Sequence, residues 1–235
     1  MNVTKSKNSL RFSQHGVVIS HLRFTPGPTH SVFDVLAAVI AVALNTHPPI
    51  PAGPVGVLGF AAGGMLAPLL SLGITSTIDA CDLDRLGFTL FQEYAGPWTD
   101  QVRWNHAEAV HWLKDKADGQ FAVLLEDLSI AQAGDITKPE VTWNVLPALI
   151  LKKLKPNGIA IFNLLRPIDR PWMPSILRIV RQFPAAQIVE LDEFENRILI
   201  AGDFLPSPRQ MGCDIRAALR RLVSRQAGRL KIRAM

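Results

Sequence analysis

Cysteine, tyrosine and long apolar runs are all scarce in this chain. Cys81 and Cys213 are the only two cysteines in 235 residues. They exclude a disulfide framework and fit a reducing compartment. There is a single tyrosine. The longest apolar run, Val35 to Leu44, is too short to cross a bilayer. It begins after His30 and Asp34, so it does not read as a signal peptide. It reads as a buried helix of a cytoplasmic protein. Internal repeats and low-complexity segments are missing too. His106 and His111 lack the spacing and third partner of a metal site, so no metal is expected.

The charge is unevenly spread. Residues 209–235 hold eight basic side chains and one acid, a net +7. The other 208 residues hold 17 basic and 19 acidic side chains, a net −2, which together account for the overall +5. The basicity therefore belongs to the C-terminal segment. Ile215, Leu219, Leu222 and Val223 recur there at helical spacing, which predicts an amphipathic helix packed on the domain with a solvated basic face. A contact to nucleic acid is the alternative use of that face.

With nearly half the residues apolar, the length suits one substantial domain with extensions. Residues 1–50 read as an N-terminal extension: a β-hairpin over Leu10–Phe24 turning at Gln14-His15-Gly16, then a helix over His30–Thr46 capped by Thr29. Residues 51–208 read as an α/β domain, and 209–235 as a basic helix or tail. Within the α/β domain, Val55–Leu58 is a short strand that breaks at Gly59-Phe60-Ala61-Ala62-Gly63-Gly64 into an apolar helix. Strand, small-residue turn and helix form the nucleoside- or phosphate-binding corner of a doubly wound sheet. Gly59 permits the tight turn, and the small residues after it let backbone approach a ligand.

Asp82 lies 23 residues after Gly59, at the end of a second strand, where an acid accepts hydrogen bonds from ribose hydroxyls. Asp84 follows. A third strand leads into Glu108, and a fourth ends in Glu126 and Asp127. A helix, a Pro156-Asn157-Gly158 turn and a fifth strand come next. Ligands bind beyond the carboxyl ends of such strands, so the acids and the glycine loop should face one crevice. Structural alternatives stand beside these roles: a solvated strand-end acid for Asp82, a helix N-terminal acid for Glu108, and a turn cap for Asp127. Glu126 is expected to point away from the crevice, and Asp79 to lie at an edge or be paired, with no role in the site. Trp104, Trp112, Trp143 and Trp172 read as core or rim aromatics. Two late strands, AAQIVEL and NRILIAGDF, suggest a terminal antiparallel addition to a mostly parallel sheet.

The order of these motifs resembles the spermidine-synthase-like branch of the class I S-adenosylmethionine-dependent methyltransferases, over roughly residues 10–205. Gly59, Gly63 and Gly64 match the glycines of its GGGDGG loop. Cys81-Asp82-Leu83-Asp84 matches the V-E-I-D box, and Ala107-Glu108-Ala109 matches G-D-A. Asp127-Leu128-Ser129-Ile130 matches D-S-x-D, and Leu154 to Gly158 matches the L-K-P-G-G turn. The resemblance implies a Rossmann-like fold and S-adenosyl-L-methionine as cofactor. It implies nucleoside contacts from Gly59, Phe60, Ala61, Gly63, Asp82, Leu83, Glu108, Ala109 and Asp127, with Asp127 as the catalytic acid–base or positioning group. The expected partners are a small-molecule acceptor and a second copy of the chain in a homodimer, without a membrane.

Two departures bear on substrate. The loop acid of GGGDGG is Ala62 here, and the second acid of D-S-x-D is Ile130. In aminopropyltransferases those acids meet cationic amines. Their loss favours the intact donor, whose carboxylate an acid would repel, and makes the acceptor side more apolar. No counterpart of the Asp-Gly-x-x-Gln motif is found. Methyl transfer is thus the first reading. Aminopropyl transfer from decarboxylated S-adenosylmethionine is the second. A non-catalytic relative serving as a binding or dimerisation module is the third.

Overall fold

The computed structural model describes residues 2–132, 134–168 and 170–235. Its N-terminal part is a three-stranded antiparallel sheet, β1 (Asn2–Lys5), β2 (Ser9–Gln14) and β3 (Val17–Arg23). His15 and Gly16 both have positive φ (49° and 82°), the geometry of a tight hairpin between β2 and β3. The expected hairpin is therefore present, and β1 extends it by a strand that periodicity did not reveal, because all four of its residues are exposed. Leu10, Phe12 and Leu22 are buried on its inner side.

Helix α1 (Val32–Leu44) is apolar on every side and almost wholly buried. Its cap is Ser31, whose hydroxyl accepts from Phe33 N, so the expectation of Thr29 as the cap is corrected. Thr29 instead donates from both N and Oγ1 to Asp34 Oδ1, each at 2.7 Å. With His30 N on Oδ2, the fully buried Asp34 carboxylate folds the chain entering the helix.

From here strands and helices alternate: β4 (Val55–Leu58), α2 (Leu66–Ser71), β5 (Ile78–Asp82), α3 (Arg85–Ala95), β6 (Val102–His106), α4 (Ala109–Lys114) and β7 (Phe121–Glu126). A small antiparallel pair follows, β8 (Ile130–Gln132) with β9 (Asp135–Thr137). Next come α5 (Val141–Asn144), α6 (Leu146–Lys153), β10 (Leu154–Leu164), α7 (Trp172–Val180), β11 (Ala185–Leu191), β12 (Arg197–Gly202), α8 (Pro208–Arg221) and β13 (Leu230–Ala234). The Pro156-Asn157-Gly158 turn is an irregularity inside the long β10, where the register with β7 shifts and Asn157 takes φ 61°.

The main sheet has the order β13-β11-β12-β10-β7-β4-β5-β6. The five strands from β10 to β6 are parallel. β12 runs antiparallel to both β10 and β11, so β11 and β12 form the expected antiparallel addition beyond the parallel strands. The edge is β13, antiparallel to β11. Strand residues divide by alternation between two cores. Val55, Val57, Val123, Leu125, Ile159 and Ile161 face α1, α8 and the N-terminal sheet. Leu124, Ala160 and Phe162 face α4, α6 and α7. No helix among the described residues is long and apolar enough to cross a membrane.

The basic segment after residue 208 is built into this core. Met211, Ile215 and Leu219 of α8 are buried, and the helix packs on α1. Several of its cations have partners on the protein. Arg221 donates to Leu72 O, Arg216 to Leu230 O, Arg229 pairs with Glu193, and Arg233 with Glu190. Gln226, fully buried, donates to His30 O and to Glu193.

Deleting residues 230–235 removes the edge strand and the buried Leu230. At about 2 kcal/mol for a buried leucine, the melting temperature should fall by roughly 4–8 °C. A thermal melt of the truncated chain matching that of the full chain would show that β13 contributes nothing to the sheet.

Candidate functional site

β4 is central, with β5 on one side and β7 on the other, so the chain's direction of winding reverses beside β4. Brought together at the carboxyl ends of these strands is a cavity of about 460 Å³. The N-terminal sheet closes one wall with Phe12, Gln14, Ile19 and Ser20.

The loop after β4 is held against the cavity by specific contacts. Gly59 takes φ 85°, and its N–H donates to Cys81 O at 3.0 Å. A Cβ there would lie 2.7 Å from Asp127 O, so only glycine fits. Ala61 is left-handed at φ 48°, unusual for a residue with a Cβ. Its N–H donates to Asp82 Oδ2 at 2.7 Å. Ala62 N donates to Ser20 Oγ at 3.3 Å, tying the loop to the N-terminal sheet. Gly87 of α3 lies directly beneath the Ala61 carbonyl, where any side chain would collide.

The residues singled out from sequence fall in distinct places. Gly59, Phe60, Ala61, Asp82, Leu83, Glu108, Ala109 and Asp127 all line the cavity. The Phe60 ring itself is buried and packs edge-on against Phe91 at 5.3 Å. Gly63 is not in the lining; a Cβ there would lie 2.8 Å from the Phe60 ring, and its neighbour Gly64 holds the lining position. Ala62 is fully buried and contributes no charge to the cavity. Asp82 Oδ1 accepts from Asp84 N at 2.9 Å. With Ala61 N on Oδ2, each carboxylate oxygen keeps one lone pair for a ligand. Glu108 caps α4 by accepting from His111 N and stands 3.2 Å from His111 Nδ1. None of the four tryptophans considered lines the cavity; Trp104 stacks on Phe88 at 4.6 Å, and Trp112 and Trp143 are core residues.

Asp127 is half-buried at the floor. Its Oδ1 accepts from Asn163 Nδ2 at 2.7 Å, and Asn163 Oδ1 accepts from Asn196 Nδ2 at 2.9 Å. Burial pushes the Asp127 carboxyl up to about 7, against the opposing pull of Lys138 and the Asn163 hydrogen bond. Glu126 points away, as expected, into the core. Its Oε1 accepts from Thr142 Oγ1 and Leu128 N, and Lys138 Nζ stands 2.9 Å from its Oε2. Burial raises its carboxyl also. This buried pair anchors the chain after β9, next to Pro139 and Val141 of the cavity wall. Asp79 is paired with Lys116 at 2.8 Å.

Sequence reasoning missed Asn163, Asn196, Ser20, Gly87 and Lys138. Each acts through a partner distant in the chain. Only Asn163, a polar residue inside the apolar run Ile159–Leu165, carried a local signal.

The lining has four carboxylates, Asp82, Asp84, Glu108 and Asp127, and among the described residues no lysine, arginine or histidine. Such a cavity favours a cationic ligand and repels an anionic one. No group of three or more metal-ligating side chains occurs among the described residues.

The raised Asp127 carboxyl gives a pH test. Its folded value near 7 exceeds an unfolded value of about 3.9, so the folded state binds the proton more tightly. That stabilisation is complete below about pH 4 and is lost as pH rises towards 7. Stability of the native chain relative to Asp127→Asn should therefore fall between about pH 4.5 and 7.5. Denaturant titrations at both pH values measure this, and parallel profiles would return Asp127 to an ordinary carboxyl.

No protein-family model matches the chain, and no curated protein matches it in sequence. Solved structures do match in shape. A probable spermidine synthase from Corynebacterium glutamicum superposes with a TM-score of 0.77 at 16% identity, over 99% of this chain and 86% of that one. Spermidine synthase from Thermotoga maritima gives 0.63 at 14% identity, over 89% and 76%. Human methyltransferase-like protein 13, in complex with SAH, gives 0.61 at 18% identity, over 83% and 92%. At these identities the likeness establishes the architecture: the chain has the Rossmann-like fold shared by spermidine synthases and class I methyltransferases.

Proposed function

We propose that the chain is an S-adenosylmethionine-dependent transferase that moves the methyl group of the intact donor to a small acceptor. The observation that carries the transferase reading is the cavity at the carboxyl ends of the parallel strands, lined by four carboxylates and, among the described residues, no cationic side chain; the choice of the intact donor rests on the uncharged Ala62. A sulfonium nucleoside is cationic and has ribose hydroxyls for Asp82 and an adenine amino group for Glu108. Structures of similar shape include a methyltransferase in complex with SAH and a spermidine synthase in complex with the transition state analogue AdoDATO.

The donor's sulfonium supplies a methyl group already activated for transfer. The chain's own residues then bind, orient and exclude water. Asp82 keeps the loop at Ala61 in place while accepting from the ribose. Asp127, held by Asn163 and titrating near neutrality, takes the acceptor's proton or fixes its nucleophilic atom. Ala62, where the aminopropyltransferase pattern has an acid, brings no charge to the donor's tail.

Aminopropyl transfer is the second reading, and the same four carboxylates favour it, since the decarboxylated donor is the more cationic. Calorimetric titration of the native chain with both donors separates the two. The intact donor should bind more tightly, and turnover should leave S-adenosylhomocysteine. Preference for the decarboxylated donor with release of methylthioadenosine would install the second reading, and binding of neither would point to a non-catalytic relative.

Asp82→Ala should weaken binding of the intact donor by roughly 1.5–3 kcal/mol, the range for a hydrogen bond to a charged group. Unchanged affinity in a folded variant would remove Asp82 from the site.

A further inference from the structure

Behind Asp127 lies a second cavity, of about 230 Å³. Ile19, Phe33, Asp127, Leu128 and Ser129 belong to the walls of both. The two chambers thus adjoin across the Asp127–Ser129 segment together with Ile19 of β3 and Phe33 of α1. Its other walls are apolar side chains of the N-terminal sheet, α1, β9 and the chain before β12, among them Val17, Val18, Val32, Ile136 and Phe194.

The polar groups of this chamber form a short series. Asp127 accepts from Asn163, which accepts from Asn196, and Ser31 and Ser129 stand at the edges. Asp127 is the sole charged side chain among its described lining residues. One carboxylate in an apolar enclosure can neutralise one cation. A second ammonium at the far end of a diamine would lie against valine, isoleucine and phenylalanine side chains with no counter-charge and partly stripped of water, a desolvation cost that nothing there offsets. The entrance repeats this character. Val17 and Val18 of the hairpin are 39% and 46% exposed, and Ile130 beside the first cavity is 43% exposed. The volume is below the ~300–1,000 Å³ of sites for drug-sized ligands, so the occupant is small.

We propose that this chamber takes a small monoamine with an apolar body, its nitrogen held at Asp127 and its body among Val18, Phe33, Ile136 and Phe194. This rests on the transferase reading above and adds the class of acceptor to it. The Asp127 carboxylate first takes one proton from the bound ammonium, and the amine lone pair so freed forms the new N–C bond to the methyl carbon. The S–C bond breaks, and its electron pair stays on sulfur as a neutral thioether. The product leaves as an N-methylammonium ion, and Asp127 returns its proton to water.

The test uses the full chain and three probes: phenethylamine, 2-phenylethanol and putrescine. Each is titrated calorimetrically with and without S-adenosylhomocysteine in the first cavity. Phenethylamine should bind at least about tenfold more tightly than putrescine or the alcohol, the ratio set by one charge-assisted hydrogen bond. Asp127→Asn should abolish its advantage over the alcohol. Val18→Asp, at an exposed position that tolerates charge, should place a second carboxylate at the chamber and shift the preference towards putrescine.

Putrescine binding as tightly as phenethylamine in the native chain overturns the proposal. So does an alcohol that binds as well as the amine, or a Val18→Asp variant with an unchanged ratio. Failure of the nucleoside to bind while phenethylamine still does would defeat the transferase reading and leave the chamber's selectivity standing. Nucleoside binding without any amine binding would do the reverse.

Discussion

The hydrogen bond from Ala61 N to the Asp82 carboxylate is the constraint on which the rest of the site depends. Ala61 sits in a backbone region that a Cβ disfavours. A strand-end acid from the neighbouring β-strand holds it there. The consequences spread outward. Because the Ala61 carbonyl then presses on α3, position 87 must be glycine, and because Gly59 turns against Asp127 O, the loop and the Asp127 segment share one backbone contact. The same carboxylate that shapes the loop also faces the cavity. Loop geometry and ligand chemistry are thus joined in one side chain, and no substitution at Asp82 separates them cleanly.

Electrostatics around the floor are divided by direction along β7. Glu126 and Asp127 are adjacent, and the alternation of a strand sends them to opposite sides. Glu126 meets a buried lysine and a threonine hydroxyl in the core. Asp127 meets an asparagine amide and open cavity. Two neighbouring acids therefore have different work. The pair with Lys138 keeps the chain after β9 in place, and removal of one partner would leave an uncompensated buried charge. Asp127 is left to titrate near neutrality.

Much of this architecture was legible in the residues themselves. The Val55–Gly64 corner, the acids ending β5 and β7, and the apolar helix over 32–44 follow from period, spacing and small-residue placement. What was not legible depends on pairing between distant segments. β1 has no buried face to leave a pattern. β13 reads as part of a basic tail until β11 offers it an edge. The β11–β12 antiparallel pair at that end of the sheet was legible from its short connecting turn, but the order that sets β12, not β11, beside β10 was not. Asp82 and Glu108 line the cavity as their positions suggested; the helix-terminal duty of Glu108 was read as an alternative to ligand binding, and the loop clamp made by Asp82 was not foreseen. Both duties are compatible with ligand binding, because a carboxylate has more lone pairs than either duty uses.

The packing of α8 on α1 carries a cost in time during synthesis. Helix α1 is apolar on all sides, and one of its covers is not made until residues 208–221 emerge. Gln226 then closes on the His30 carbonyl at the same end of that helix, across 196 positions of sequence. At ordinary translation speeds of about 5–20 residues per second, α1 waits roughly 10–30 s for its partner. Throughout that interval the side of the helix that α8 will cover stays open, although α2, β7 and β10 are made before α8. The last cover of residues 32–44 thus comes from the segment made near the end of synthesis.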